Sequence, residues 1–135
     1  DYYASRGLGD VYKRQIMSNK LRITVGSSSF DATLEDNETV KAFKKLLPMT
    51  VNMPDLNRNE KYYYLSGSLP TAASNPGTIL TGDLMLYGSN CVVLFYESFS
   101  TSYSYTRLGR VNNSSGLASA LGSGSVTVTF ELQKE

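Results

Sequence analysis

Residues 82–110 read GDLMLYGSNCVVLFYESFSTSYSYTRLGR, and this stretch decides the fold. Gly88-Ser89-Asn90 turns the chain between two apolar arms, Asp83 to Tyr87 and Cys91 to Tyr96. In the second arm Cys91, Val93 and Phe95 face one way and Val92, Leu94 and Tyr96 the other, because side chains alternate across a strand. Apolar residues on both faces imply a strand covered on both sides. Beyond the hairpin, rings alternate with hydroxyls from Phe99 to Tyr105, a pattern that would waste a core strand. That segment is expected to form a surface lip beside the buried hairpin.

Strand signals also dominate on either side. Leu21, Ile23 and Val25 alternate with Arg22 and Thr24, and after Gly26-Ser27-Ser28 the pattern resumes with Phe30, Ala32 and Leu34, which predicts a hairpin with one face inward. Asn37 is placed to cap a helix carrying Val40, Phe43, Leu46 and Leu47 on one side, with Pro48 ending it. Met49 to Met53 reads as a strand, Pro54 to Asn59 as a turn, and Glu60 to Leu65 as a tyrosine-rich strand. The long segment Ser66 to Thr81 is expected to be a structured crossing or a functional lip. Thr106 to Val111 is a weaker strand and Gly116 to Leu121 a short helix. Val126, Val128, Phe130 and Leu132 then form a closing strand that is expected to pair with the first. The pattern predicts a mainly β fold: a closed or nearly closed barrel of about eight strands with two short flanking helices.

The N-terminus stands apart. Asp10-Val11-Tyr12-Lys13-Arg14-Gln15 and the residues just before it resemble the translated end of a transposase-based sequencing adapter. Residues 1–15 are therefore expected to be an artefactual, disordered leader, and residues 16–135 a single domain. Met17 then reads as a start or as an internal residue behind a lost leader, so the compartment, cytoplasmic or exported, stays open.

Charge and composition exclude several classes. Of 13 basic and 12 acidic residues, Arg6, Lys13, Arg14, Asp1 and Asp10 lie in the leader, and the remainder is formally neutral. A neutral domain without a basic stripe argues against nucleic acid, and Lys41, Lys44 and Lys45 are expected to form a solvated helix face. No apolar run approaches the ~20 residues that span a bilayer. The absence of histidine removes the Ser-His-Asp and Cys-His constellations. Cys91, the lone cysteine, is expected to be an inert core thiol. Glu35, Asp36 and Glu38 precede a helix, where capping and the helix dipole explain them better than a metal does. No cofactor or metal is expected.

The phrase Lys45-Leu46-Leu47-Pro48 leaving the first helix, Glu60-Lys61-Tyr62-Tyr63 opening a strand, and Gly82-Asp83-Leu84 leading to Leu94-Phe95-Tyr96 resemble the small bacterial cyclophilin-like domains. The resemblance spans 17–131. It implies a closed eight-stranded barrel flanked by helices, related in fold to the prolyl isomerases called cyclophilins. In those enzymes an arginine in a Phe-His-Arg strand motif donates to the prolyl nitrogen, and a tryptophan and a histidine help line the site. Here the corresponding strand reads Lys61-Tyr62-Tyr63-Tyr64, and the chain has neither tryptophan nor histidine. The catalytic arginine is thus not carried over, although Arg107 and Arg110 stand beside the aromatic segment as substitute donors.

Two readings of function follow, with a structural or assembly role as a third. The first is a module that binds a peptide or small molecule without efficient isomerase activity. Its expected ligand-binding residues are Tyr62, Tyr64, Tyr87, Asn90, Tyr96, Phe99, Thr101, Tyr103 and Arg107, since tyrosine combines broad contact area with a polar tip. The alternative is a peptidyl-prolyl cis-trans isomerase that uses a substitute arginine.

Overall fold

The computed structural model describes residues 18–134, so the leader expected at 1–15 lies outside the described residues. Eleven strands and two helices follow in order: β1 (Lys20–Val25), β2 (Ser28–Leu34), α1 (Glu38–Lys44), β3 (Met49–Met53), β4 (Asp55–Leu56), β5 (Glu60–Tyr64), β6 (Thr78–Ile79), β7 (Asp83–Tyr87), β8 (Cys91–Phe95), β9 (Phe99–Ser100), β10 (Thr106–Val111), α2 (Leu117–Leu121) and β11 (Val126–Leu132). Nine of the strands form one antiparallel sheet in the order β3-β11-β1-β2-β10-β7-β8-β5-β4, curled into a nearly closed barrel. The first and last long strands pair, with Ile23 opposite Phe130. The ninth strand is β4, two residues inside the segment expected to be only a turn. It pairs with β5 through Asp55 and Lys61.

Local chemistry accounts for most of these elements. Asn37 caps α1, its side-chain oxygen accepting from Val40 N at 2.8 Å, while its amide donates to the Arg107 carbonyl at 3.0 Å and ties the helix to β10. The three-residue β4–β5 connection, Asn57 to Asn59, places Asn57 and Arg58 at φ 56° and 58°, both left-handed, and is closed by Asn59 N donating to the Leu56 carbonyl at 3.2 Å. Asparagine tolerates this conformation, whereas Arg58 is supported by its N–H donating to Asp55 Oδ2 at 3.1 Å. The weak period of β10 has a physical cause: its register with β7 shifts between Arg107 and Gly109. At Gly109, β10 also runs so close to β2 that a Cβ would collide with the backbone of Thr33 and Leu34.

Two helix expectations need correction. Lys44 is almost fully buried, and its Nζ donates to Asn19 Oδ1 at 2.8 Å. It lies one turn after Val40, on the inward face, so its stem is covered and only its head reaches a polar partner. Leu46, expected on the apolar side, lies beyond the end of α1 and is exposed.

The two faces of the central hairpin build two cores. Val92, Leu94 and Tyr96 point into the barrel with Leu84, Leu86, Phe43 and Phe130. Cys91, Val93 and Phe95 point outward and pack with Met85, Ile79 and Tyr105. The outer layer is held by the 66–81 crossing, in which β6 pairs with β9 through Ile79 and Phe99, and Ser74 and Tyr105 exchange backbone hydrogen bonds at 3.0 Å.

One barrel end is plugged by a charge. Lys61 is 0% exposed, and its Nζ donates to Asp55 Oδ1 at 3.0 Å and to the carbonyls of Gly122 and Gly124 after α2. Its ammonium also lies 5.3 Å from the Tyr96 ring centroid. Removing one partner of a buried ion pair leaves the other uncompensated. Lys61→Ala is therefore expected to lower unfolding free energy by about 3–5 kcal/mol in urea titrations. A loss below about 1 kcal/mol, the scale of an exposed pair, would show that the plug contributes little.

Candidate functional site

The outer core does not fill the space above β5, β7 and β8. A cavity of 490 Å³ remains there, floored by Cys91 and Val93 and walled by Tyr62 and Tyr64 on one side and Phe99, Tyr103 and Tyr105 on the other. This lies within the usual range of ligand pockets, about 300–1,000 Å³. The alternation of β5 puts Glu60, Tyr62 and Tyr64 outward, opposite Phe95, Val93 and Cys91 of β8. Tyr87 of β7 faces Cys91 from the other side.

The rings brace one another. Tyr62 and Tyr64 meet edge to face at 5.8 Å between centroids, and Tyr87 meets Tyr103 at 6.0 Å and Tyr105 at 5.6 Å. Phe95 contacts both Phe99 and Tyr105 at 5.6 Å. Tyr105 is buried and anchors the lip, whereas Tyr64 and Tyr103 are 62% and 61% exposed and form its rim. The lip backbone is fixed as well: Thr101 N donates to the Gly77 carbonyl at 2.9 Å, and Tyr103 N to Thr101 Oγ1 at 3.1 Å.

The structure brings Tyr62, Tyr64, Tyr87, Phe99, Thr101 and Tyr103 together around this cavity. Asn90, Tyr96 and Arg107 lie elsewhere. Asn90 serves the β7–β8 turn, and its carbonyl accepts from Leu65 N at 2.7 Å. Tyr96 follows the inward alternation of β8, and its hydroxyl donates to Asp55 Oδ1. Burial, together with that carboxylate, pushes the Tyr96 hydroxyl up to about 12. Arg107 and Arg110 both approach Asp83 Oδ1, at 3.9 Å and 2.7 Å, and neither lines the cavity. Asp83 is fully buried, so these cations answer a charge within the fold.

Sequence reasoning missed the polar end. Leu56, Asn57, Asn59 and Glu60 close the cavity beside the β4–β5 turn. Glu60 is 9% exposed, and no hydrogen bond or ion pair holds its carboxyl among the described residues. Burial, reinforced by the nearby Asp55 carboxylate, lifts it to about 7. The side-chain oxygen of Asn59 is buried without a hydrogen-bond partner among the described residues. A turn-plus-strand reading could have flagged Glu60, since an outward carboxylate two residues before Tyr62 must share its face. Cys91, expected in the core, is buried but contributes to the cavity floor, and burial raises its thiol. Among the described residues no three His, Cys, Asp or Glu side chains converge as a metal site, and no helix is long and apolar enough to cross a membrane.

A model of the Cyclophilin-like family matches residues 23–131, from β1 to near the end of β11. The chain belongs to the cyclophilin-like family. The solution structure of a hypothetical protein from Archaeoglobus fulgidus shares this cyclophilin-like fold at a TM-score of 0.64 and 21% identity, covering 86% of this chain and 95% of that one. No curated protein matches the chain.

The raised Glu60 carboxyl has a consequence for stability. Between its ordinary value of 4.5 and about 7, the folded cyclophilin-like domain keeps a proton that the unfolded chain releases. The associated stability is complete below the lower value and is lost as pH rises through the upper. Glu60→Gln is expected to remove this decline, and to be more stable than the parent by about 2–3 kcal/mol at about pH 8. Urea midpoints at about pH 5 and about pH 8 check this, and parallel pH dependence in the two proteins would refute it.

Proposed function

We propose that this cyclophilin-like domain binds a peptide or small molecule in the outer cavity and lacks efficient prolyl isomerase activity. The observation that carries the reading is the ring-walled cavity itself, with exposed Tyr64 and Tyr103 both on its rim above a floor of barrel strands. Exposed rings gathered round a concavity favour contact with a partner, because they offer apolar area that water covers poorly. Isomerisation needs a donor at the prolyl nitrogen to assist rotation across a barrier of ~20 kcal/mol. The two candidate arginines instead face Asp83, which supports binding without this chemistry.

The peptide Ala-Ala-Pro-Phe serves as both ligand probe and isomerase substrate. Amide chemical-shift changes on titration are expected to concentrate at Tyr62, Tyr64, Tyr87 and the Phe99–Tyr105 lip. Tyr64→Ala and Tyr103→Ala should each weaken binding about fivefold, in keeping with the value of one aromatic contact. A protease-coupled assay should show no acceleration of prolyl rotation. Turnover that disappears in Arg107→Ala or Arg110→Ala would overturn the non-catalytic part, and shifts confined to residues outside the cavity would overturn the site.

A further inference from the structure

The polar end of the cavity is chemically lopsided. Glu60 and the Asn59 side-chain oxygen are both acceptors without a partner, and no lysine or arginine lines the cavity. The groups around Glu60 add no cation. Leu56 pairs with it across β4 and the Asp55 carboxylate acts on it from the other face, Cys91 faces it from β8 and Tyr105 from the lip, while Tyr62 and Tyr64 lie along its own strand. Lys61 points to the opposite face and is committed to Asp55 and two carbonyls, and Arg58 is exposed in the turn.

Such a site lacks positive charge, and the only side-chain N–H groups in its lining are the amides of Asn57 and Asn59. A ring face carries negative potential and attracts a cation placed over it, more strongly where water is excluded. A carboxyl buried beside such rings regains an interaction for its charged form when a cation enters. The Asn59 oxygen requires a hydrogen donor, which a quaternary ammonium lacks and a protonated primary amine or guanidinium supplies. Resting on the binding reading above, we propose that the cavity recognises an organic cation bearing N–H donors, an alkylammonium or guanidinium group on an apolar stem. The stem lies between Tyr64 and Tyr103 while the cationic head meets Glu60 and Asn59. A lysine or arginine side chain, a peptide N-terminus and a free amine all present this chemistry.

Four matched probes separate the possibilities: phenethylammonium, phenethyltrimethylammonium, phenethyl alcohol and phenylacetamide, titrated into the full chain and followed by amide chemical shifts. Phenethylammonium should bind at least about tenfold more tightly than the alcohol or the amide at about pH 8, with the quaternary analogue between them. The advantage should shrink toward about pH 5.5, where Glu60 holds its proton. Glu60→Gln should abolish the preference by weakening phenethylammonium at least about tenfold more than it weakens the alcohol, and Asn59→Ala should bring the primary and quaternary cations to equal affinity. Retained amide dispersion in both variants shows that they are folded. Equal binding of ammonium and alcohol, or tightest binding of the amide, would overturn the cation assignment and leave the cavity reading standing. No response to any of the four probes would overturn both.

Discussion

All five residues of β8 are buried, and the rest of the structure depends on that double coverage. One face closes the barrel core against Phe43 and Phe130, and the other forms an outer layer with Ile79 and Tyr105. A strand buried on both sides must be apolar on both, which is why Cys91 to Phe95 shows no polar alternation. The cavity exists because the outer cover stops short. β6, β9 and the lip shield Phe95 and Met85 but stop short of Cys91 and Val93, whose outer side becomes the floor of the cavity between two groups of rings. Its floor is therefore the back of a barrel wall, with little freedom to deform.

Neighbouring residues on β5 show how the two faces treat charge. Lys61 enters the barrel and finds a carboxylate, two carbonyls and a ring, so its charge is compensated where water is absent. Burial alone would raise the Asp55 carboxyl, yet the Tyr96 hydroxyl and Lys61 outweigh it and hold the group low. Glu60, one residue earlier and on the opposite face, has no comparable partner and is shifted the other way. The strand thus carries a satisfied charge toward the core and an unsatisfied one toward the cavity.

Much of the barrel was legible because its signals are local. Period-two alternation marked β1, β2 and β11, an apolar run after a turn marked β8, Asn37 marked the start of α1, and the pairing of first and last strands followed from a clean closing strand. The site was legible only in part. Rings on β5 and the lip could be read from their alternation, whereas Glu60 and Asn59 gain meaning only once the β4–β5 turn is placed at the cavity end. Two-residue strands such as β4, β6 and β9 have no periodicity to read, and without them the outer cover cannot be drawn. Arg107 was expected at the site and Lys44 in solvent because their partners, Asp83 and Asn19, are brought near only by the folded sheet.

Local costs gather at that same cavity end. Arg58 holds a left-handed backbone, Asn59 buries an unpaired oxygen, and Glu60 keeps a mostly covered carboxyl without a partner. Each is of a kind that costs about 1–3 kcal/mol when nothing offsets it. The Asn59 oxygen is the one buried side-chain polar atom left unpaired among the described residues, so the fold elsewhere satisfies such groups. Random imperfection would scatter these features over the barrel, whereas here they fall on consecutive residues beside a ring-walled space. A guest carrying N–H donors would offset two of the three at once, and it would do so without disturbing Lys61 or the core behind it. Because the site is built on the outer face, by a turn and a lip laid over barrel strands, its chemistry can differ from that of other cyclophilin-like barrels while the barrel itself stays the same.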